Sequence, residues 1–139
     1  MKHEIIAKLA EIMRGPVIGR EHPDYDDARK LYNAMIDKRP LFIAKCVDVA
    51  DVMAAVNFGR ENKLAIAIRG GGHNAPGFAS VDDGLVIDLS LMKGVRVDPK
   101  NRTVRVGPGC TTGDVDHATQ AFRRCRSGLS RRQASQGSP

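Results

Sequence analysis

Apolar positions recur along the first third of the chain with the spacing of helices. From His3 to Met13 the residues Ile5, Ile6, Leu9, Ile12 and Met13 share one stripe, and Gly15-Pro16 then stops the helix. Pro23-Asp24-Tyr25-Asp26-Asp27 places a proline and acids where a helix start favours them, and Ala28, Leu31, Tyr32 and Met35 follow on one face. Both tyrosines are read as packing residues. Leu41 to Lys45 reads as a strand. Val49 to Arg60 reads as a helix whose inner face is Val52, Met53, Val56 and Gly59 or Arg60. Leu64 to Ile68, a short apolar run bounded by charge, reads as a buried strand. A strand, a helix and a strand in that order predict parallel pairing.

Beyond residue 84 the pattern shortens. Leu85 to Leu89, Val95 to Val97 and Thr103 to Val106 are β-rich segments, and the last two are joined by the turn-forming Asp98-Pro99-Lys100-Asn101-Arg102. Alternation in Val95-Arg96-Val97 and Val104-Arg105-Val106 suits strands with one wet face. Thr111-Thr112-Gly113-Asp114 caps a final helix running to about Phe122. The fold class is therefore α+β: N-terminal helices, a small parallel strand-helix-strand sheet, and short antiparallel strands.

Composition narrows the function. At 139 residues the chain has the size of one ordinary domain. No apolar run approaches the roughly 20 residues of a membrane helix, and Met1-Lys2-His3-Glu4 does not open a secretory signal, so a cytoplasmic protein without a membrane partner is expected. Cysteines at 46, 110 and 125 form neither a disulfide framework nor a zinc site, and His3, His22 and His117 have no metal-ligand spacing. The net charge of +6 raises the question of nucleic acid. Five of the 22 basic residues, however, lie in 123–139, where there is no acid, and the remainder is close to neutral. No nucleic-acid partner is expected for the body of the chain.

The chemistry concentrates in Ile68-Arg69-Gly70-Gly71-Gly72-His73-Asn74. Three glycines allow successive backbone N–H groups to face one concavity, which is how a loop grips phosphate or pyrophosphate. Arg69 adds a positive charge beside that cradle, and a neutral His73 nitrogen can attack carbon or bind metal. Gly70-x-Gly72-x-x-Ala75 with Asp88 also fits the dinucleotide fingerprint, with the aspartate as ribose ligand. That fingerprint needs a helix to start on the loop. Here Asn74-Ala75-Pro76-Gly77 and Val81-Asp82-Asp83-Gly84 follow instead. The plainer alternatives are a glycine-rich turn with no ligand and a polar histidine bonded to backbone.

Arg69 to Asn74, Gly77, the run Asp83-Gly84-Leu85-Val86-Ile87-Asp88-Leu89-Ser90-Leu91-Met92, and Val106-Gly107-Pro108-Gly109 resemble the FAD-binding half-domain of the berberine bridge enzyme family. That family belongs to the wider vanillyl-alcohol oxidase and para-cresol methylhydroxylase (PCMH) type flavoproteins, and the resemblance covers about Asp24 to Phe122. It implies FAD bonded covalently, through His73, to the methyl at position eight of the flavin ring. It also implies a pyrophosphate held by the glycine backbone, and so a cofactor set of Arg69, Gly70, Gly71, Gly72, His73, Asn74 and Gly77. A second, cysteinyl bond occurs in some members beyond the position of Phe122. Cys110 does not occupy that place and reads as a small packed residue.

The resemblance divides the chain into an N-terminal helical segment (1–37), the first part of a PCMH-type FAD-binding domain (38–122) and a basic tail (123–139). The tail carries Cys125, Leu129 and Ala134 as its only apolar side chains, too few to order it. It departs from the family's continuation, so a shift of reading frame is one explanation and a native tail that contacts an anionic partner the other. The expected function is the N-terminal portion of a covalent-FAD oxidoreductase in which a small-molecule substrate of the full-length enzyme passes hydride to flavin. The alternative is a truncated, inactive nucleotide-binding module. The substrate, electron acceptor, catalytic base and oligomeric state are not encoded in these residues.

Overall fold

The computed structural model describes residues 2–122, and the chain forms two units that divide after Met92. In the first unit, helix α1 (Lys2–Ile12) leads into strand β1 (Val17–Gly19) and a single helical turn, α2 (Tyr25–Ala28). Strand β2 (Phe42–Lys45), helix α3 (Val49–Glu61), strand β3 (Ile66–Arg69) and strand β4 (Leu85–Asp88) follow. The second unit holds β5 (Val95–Asp98), β6 (Thr103–Val106) and α4 (Thr112–Gln120). The basic tail and the proposed frame shift lie outside the described residues.

The four strands of the first unit run in the order β1-β2-β4-β3. β2 and β3 are both parallel to β4 and share its register, Ile43 and Ile68 facing Val86 and Ile87 in turn, while β1 pairs antiparallel with β2. The parallel expectation for β2 and β3 is met through an intermediary, because β4 inserts between them. A central parallel strand is covered on both faces, and all four β4 residues are accordingly buried.

One face of the sheet packs Phe42, Ala44, Leu85 and Ile87 with Leu9 and Met13 of the N-terminal segment and Ala55 and Phe58 of α3. The other face packs Ile43, Val86 and Ala67 with Ile18 and Tyr25. The insertion of β4 leaves β3 at the edge, which corrects its reading as a buried strand: Ile68 is 59% exposed, and only Ala67 and Arg69 point inward.

Three helix faces also differ from expectation. Ile12 is exposed, because the inward stripe of the first helix is carried by Leu9 and Met13, with Ile5 and Ile6 half-buried against it. On α3 the buried set is Asp51, Ala55, Phe58 and Gly59, while Met53 and Val56 face outward. Small side chains at 55 and 59 let this helix approach the sheet, so they face it with Phe58 while Met53 and Val56 do not. The helix expected through Met35 is only one turn, and Tyr32 and Met35 are exposed at 78% and 91%. After Arg29 the helix stops, and the Tyr32 N–H donates instead to the Gly72 carbonyl after β3.

Asp48 caps α3 by accepting from the Asp51 N–H at 3.0 Å. In the second unit β5 and β6 form an antiparallel hairpin in the register Val95↔Val106. The predicted cap at Thr111 is a complete capping box, Thr111 and Asp114 each accepting the other's backbone N–H. Cys110 is half-buried with its thiol on the Gly94 carbonyl, and Cys46 is fully buried, which pushes its thiol up to about 11.

Candidate functional site

The glycine loop leaves the carboxyl end of β3 and runs over residues 70–80 with no helix following it. Its root is a buried ion pair. Arg69 and Asp88 are register partners on adjacent strands, and Arg69 Nη2 donates to Asp88 Oδ2 at 2.5 Å with both side chains more than nine-tenths buried. Arg69 Nη1 also reaches the Lys30 carbonyl at 3.4 Å, and Asp88 Oδ1 accepts from the Ser90 N–H at 2.9 Å. Burial alone would raise the Asp88 carboxyl. The charge and hydrogen bond of Arg69, with Ser90, outweigh it and hold the group below the ordinary aspartate range.

Arg69 therefore stands at the foot of the cradle with its charge turned into the sheet. The carboxylate of Asp88 is committed to Arg69, so it is not presented as the ribose ligand that the fingerprint would require. A buried bidentate-capable guanidinium is rigid, and the loop springs from a fixed point.

Above that point Gly70, Gly71, Gly72, His73 and Asn74 donate their backbone N–H groups to no acceptor among the described residues. Gly72 has φ +71 and Gly77 φ +80, the left-handed conformation that glycine adopts without strain. A Cβ on Gly77 would come within 2.8 Å of Ile36, so the position also demands the absence of a side chain. Asn74 closes the far turn: its carbonyl accepts from the Gly77 N–H at 3.0 Å and its Oδ1 from the Phe78 N–H at 2.9 Å. The structure thus brings Gly70 to Asn74 together at the open part of the loop and places Gly77 at its closing turn.

His73 is exposed on the loop, its ring 4.5 Å from that of Tyr32 at an interplanar angle of 33°. The Tyr32 N–H donates to the Gly72 carbonyl at 3.1 Å, and Asn33 Nδ2 to the Ala75 carbonyl at 3.1 Å. Lys38 Nζ bridges the carbonyls of Gly77 and Ser80 at 3.1 and 3.2 Å. The Ser80 hydroxyl is buried with no hydrogen-bond partner among the described residues, an orphaned polar atom at the end of the loop.

Sequence reasoning did not single out Asn33, Lys38 or Ser80, it took Asp88 as a ribose ligand, and it read Tyr32 as a packing residue, which the exposure of that ring beside His73 corrects. One signal was available for Asp88: a lone acid ending the otherwise apolar Leu85-Val86-Ile87 must be paired if that strand is buried. Tyr32, Asn33 and Lys38 are recruited from about 40 residues away, which no local pattern records.

Among the described residues no group of three or more acidic, histidine or cysteine side chains could hold a metal ion, and no helix is long and apolar enough to cross a membrane. What the loop presents is a row of amides without an acceptor among the described residues, Gly72 buried among them, beside an exposed imidazole: the kind of donor set that an anionic ligand uses.

Comparison with known proteins gives the family. Residues 40–129 match the family described as FAD binding domain. The chain is 34% identical over 103 residues to (R)-6-hydroxynicotine oxidase of Paenarthrobacter nicotinovorans, covering 74% of this chain and 22% of the oxidase. It is 36% identical over 121 residues to an FAD-linked oxidoreductase of Dictyostelium discoideum, covering 86% of this chain and 26% of that protein.

Among solved structures, 6-hydroxy-D-nicotine oxidase from Arthrobacter nicotinovorans superposes with a TM-score of 0.76 at 33% identity, over 79% of this chain and 24% of the oxidase. A variant of the berberine bridge enzyme-like protein 1 of Physcomitrella patens superposes with a TM-score of 0.74 at 25% identity, over 87% of this chain and 26% of that one. The chain spans about a quarter of the length of these relatives. With its α+β sheet of the PCMH type and its glycine loop at the end of β3, the chain belongs to the FAD-binding domain family of the FAD-linked oxidoreductases.

Proposed function

We propose that this chain is the N-terminal, FAD-binding part of an oxidoreductase whose flavin is attached through His73. The observation that carries the reading is the pairing of open amides at Gly70 to Asn74 with an exposed imidazole on the same loop.

The residues present fit FAD. Its pyrophosphate is a dianion, and amides without a protein acceptor are the donors that such a group requires. Arg69 to Gly72, Asn74 and Gly77 would hold it: Arg69 by fixing the loop's root, the glycines by admitting the phosphates to the backbone, and Asn74 and Gly77 by closing the far turn. His73 has no competing hydrogen bond among the described residues, so a ring nitrogen keeps its lone pair for bond formation in the neutral imidazole. The loop would hold that nitrogen beside the cofactor and so supply the effective concentration for a C–N bond that replaces a ring-methyl C–H, the displaced methyl and imidazole hydrogens leaving with two electrons to dioxygen.

FAD, when bound, takes hydride from a small-molecule substrate of the whole enzyme and passes the electrons onward. A second reading follows from length. At about a quarter of its relatives, the chain is a binding module that loads cofactor but does not turn over substrate by itself.

The test is the visible spectrum and intact mass of the purified chain after incubation with FAD and acid precipitation, beside His73→Ala. A yellow protein with an FAD-sized mass increment that is absent from the variant is expected. An increment that persists in His73→Ala would refute attachment at that residue, and reversible FAD binding with no acid-stable mass would support the module reading alone.

A further inference from the structure

We infer that Lys30 to Lys38 is a positioning strap for the glycine loop and that Tyr32 is the residue in it that orients the His73 imidazole. The strap lies ahead of the residues that match the family, 40–129, yet it follows the loop from end to end. The Lys30 carbonyl meets Arg69 at the root, the Tyr32 N–H holds the Gly72 carbonyl, Asn33 holds the Ala75 carbonyl, and Lys38 holds the carbonyls of Gly77 and Ser80. Ile36 fills the space that a side chain at 77 would need.

The bonds from Tyr32, Asn33 and Lys38 each take a loop carbonyl oxygen, and none takes an N–H of residues 70–74. The Gly72 carbonyl, fixed on one side by Tyr32, turns the N–H of the same peptide, that of His73, toward the other, so the strap orients that donor without occupying it. Tyr32 completes the arrangement. Its ring is 78% exposed and contributes little to the core, yet its centroid lies 4.5 Å from that of His73. A tilted aromatic contact at this distance restricts rotation of the imidazole about its side-chain bonds. A buried tyrosine would have been explained by packing; this one is explained by the ring it touches.

The inference deepens the proposed attachment at His73, and part of its test stands without FAD. Proton and carbon NMR of the His73 ring, assigned by loss of its signals in His73→Gln, reads the contact through the ring current of Tyr32. An upfield displacement is expected in the wild-type chain and in Tyr32→Phe, and is expected to be lost in Tyr32→Ala and Tyr32→Leu. The backbone amide spectrum reports the fold, and Tyr32→Leu decides should Tyr32→Ala unfold. His73 signals identical in the wild-type chain and the folded non-aromatic variant would overturn the inference.

With FAD present, acid-stable mass should accumulate about tenfold or more slowly in the non-aromatic variants and at the wild-type rate in Tyr32→Phe, as misplacement of a reacting group predicts. Equal loading in all variants would also overturn it. A wild-type chain that takes no FAD would count against the attachment reading alone, and the resonance comparison would still decide the strap.

Discussion

The turn before α3 and the glycine loop after β3 solve opposite problems with the same backbone chemistry. At the first, the buried Asp51 carboxylate accepts the N–H groups of Arg14, Gly15 and Val47 at 2.8, 3.0 and 3.0 Å. The anion is part of the protein and the nest is closed. At the second, five consecutive amides from Gly70 to Asn74 have no acceptor among the described residues, and the protein's own contacts go to carbonyls instead. An anion for these amides would have to come from outside. A nest that supplies its own carboxylate contributes stability, whereas one that withholds it forgoes that stability and gains a binding site.

Both regions rest on a buried aspartate, and the sharpest test is to remove each one. Asp88→Ala leaves the Arg69 guanidinium buried without its counter-charge and should lower unfolding free energy by about 3–5 kcal/mol in urea titration. It should also abolish acid-stable flavin, because the root of the loop is released. Asp51→Ala should cost about 2–3 kcal/mol, since three N–H groups lose their acceptor, but should leave the flavin taken up per folded molecule unchanged. Equal effects of the two variants on flavin uptake would erase the distinction between the closed and the open nest.

Acid should act on the same pair of carboxylates. Burial raises Asp51 as it raises Asp88, and in each case hydrogen bonds, with the arginine charge at Asp88, more than offset it, so both lie below the ordinary aspartate value. A depressed folded-state value means that the stabilising contribution is fully present above the unfolded-state value of about 3.9 and is lost as pH falls through the folded one. The urea midpoint should therefore drop below about pH 4, and less steeply in Asp51→Asn than in the wild-type chain.

Gly77→Ala should cost about 1–2 kcal/mol, from a side chain at φ +80 and its approach to Ile36, with thermal unfolding as the measure. The smallest change in stability is expected for His73→Ala, within about 0.5 kcal/mol, because that ring is exposed. Its loss should show in the flavin mass alone.

Much of this architecture was legible in local pattern. The helix and strand from Leu41 to Arg60, the run Leu85 to Leu89 and the hairpin from Val95 to Val106 carry periodicities that no alternative element satisfies as well. The Thr111 cap follows from four consecutive residues. The glycine loop is as plain, since a triple glycine followed by Pro76 and Gly77 excludes regular structure. Less visible was which face each element would bury. Met53 and Val56 are as apolar as a core residue needs to be, yet Ala55 and Gly59 set the distance of α3 from the sheet and so decide its orientation. β1 is three residues long, too short for any periodicity, and exists because β2 offers it an edge.

The sequence by itself determined the order of the helices and strands other than β1, and the glycine loop with its histidine. These depend on neighbours a few residues apart, which fix backbone freedom and capping. Only the tertiary structure decided that β4 lies between β2 and β3, that Arg69 is turned inward to Asp88, and that Tyr32 and Lys38 reach across to hold the loop. Those contacts join residues from 19 to 42 positions apart, and they form because burying β4 on both faces outweighs any local preference for where the flanking segments lie.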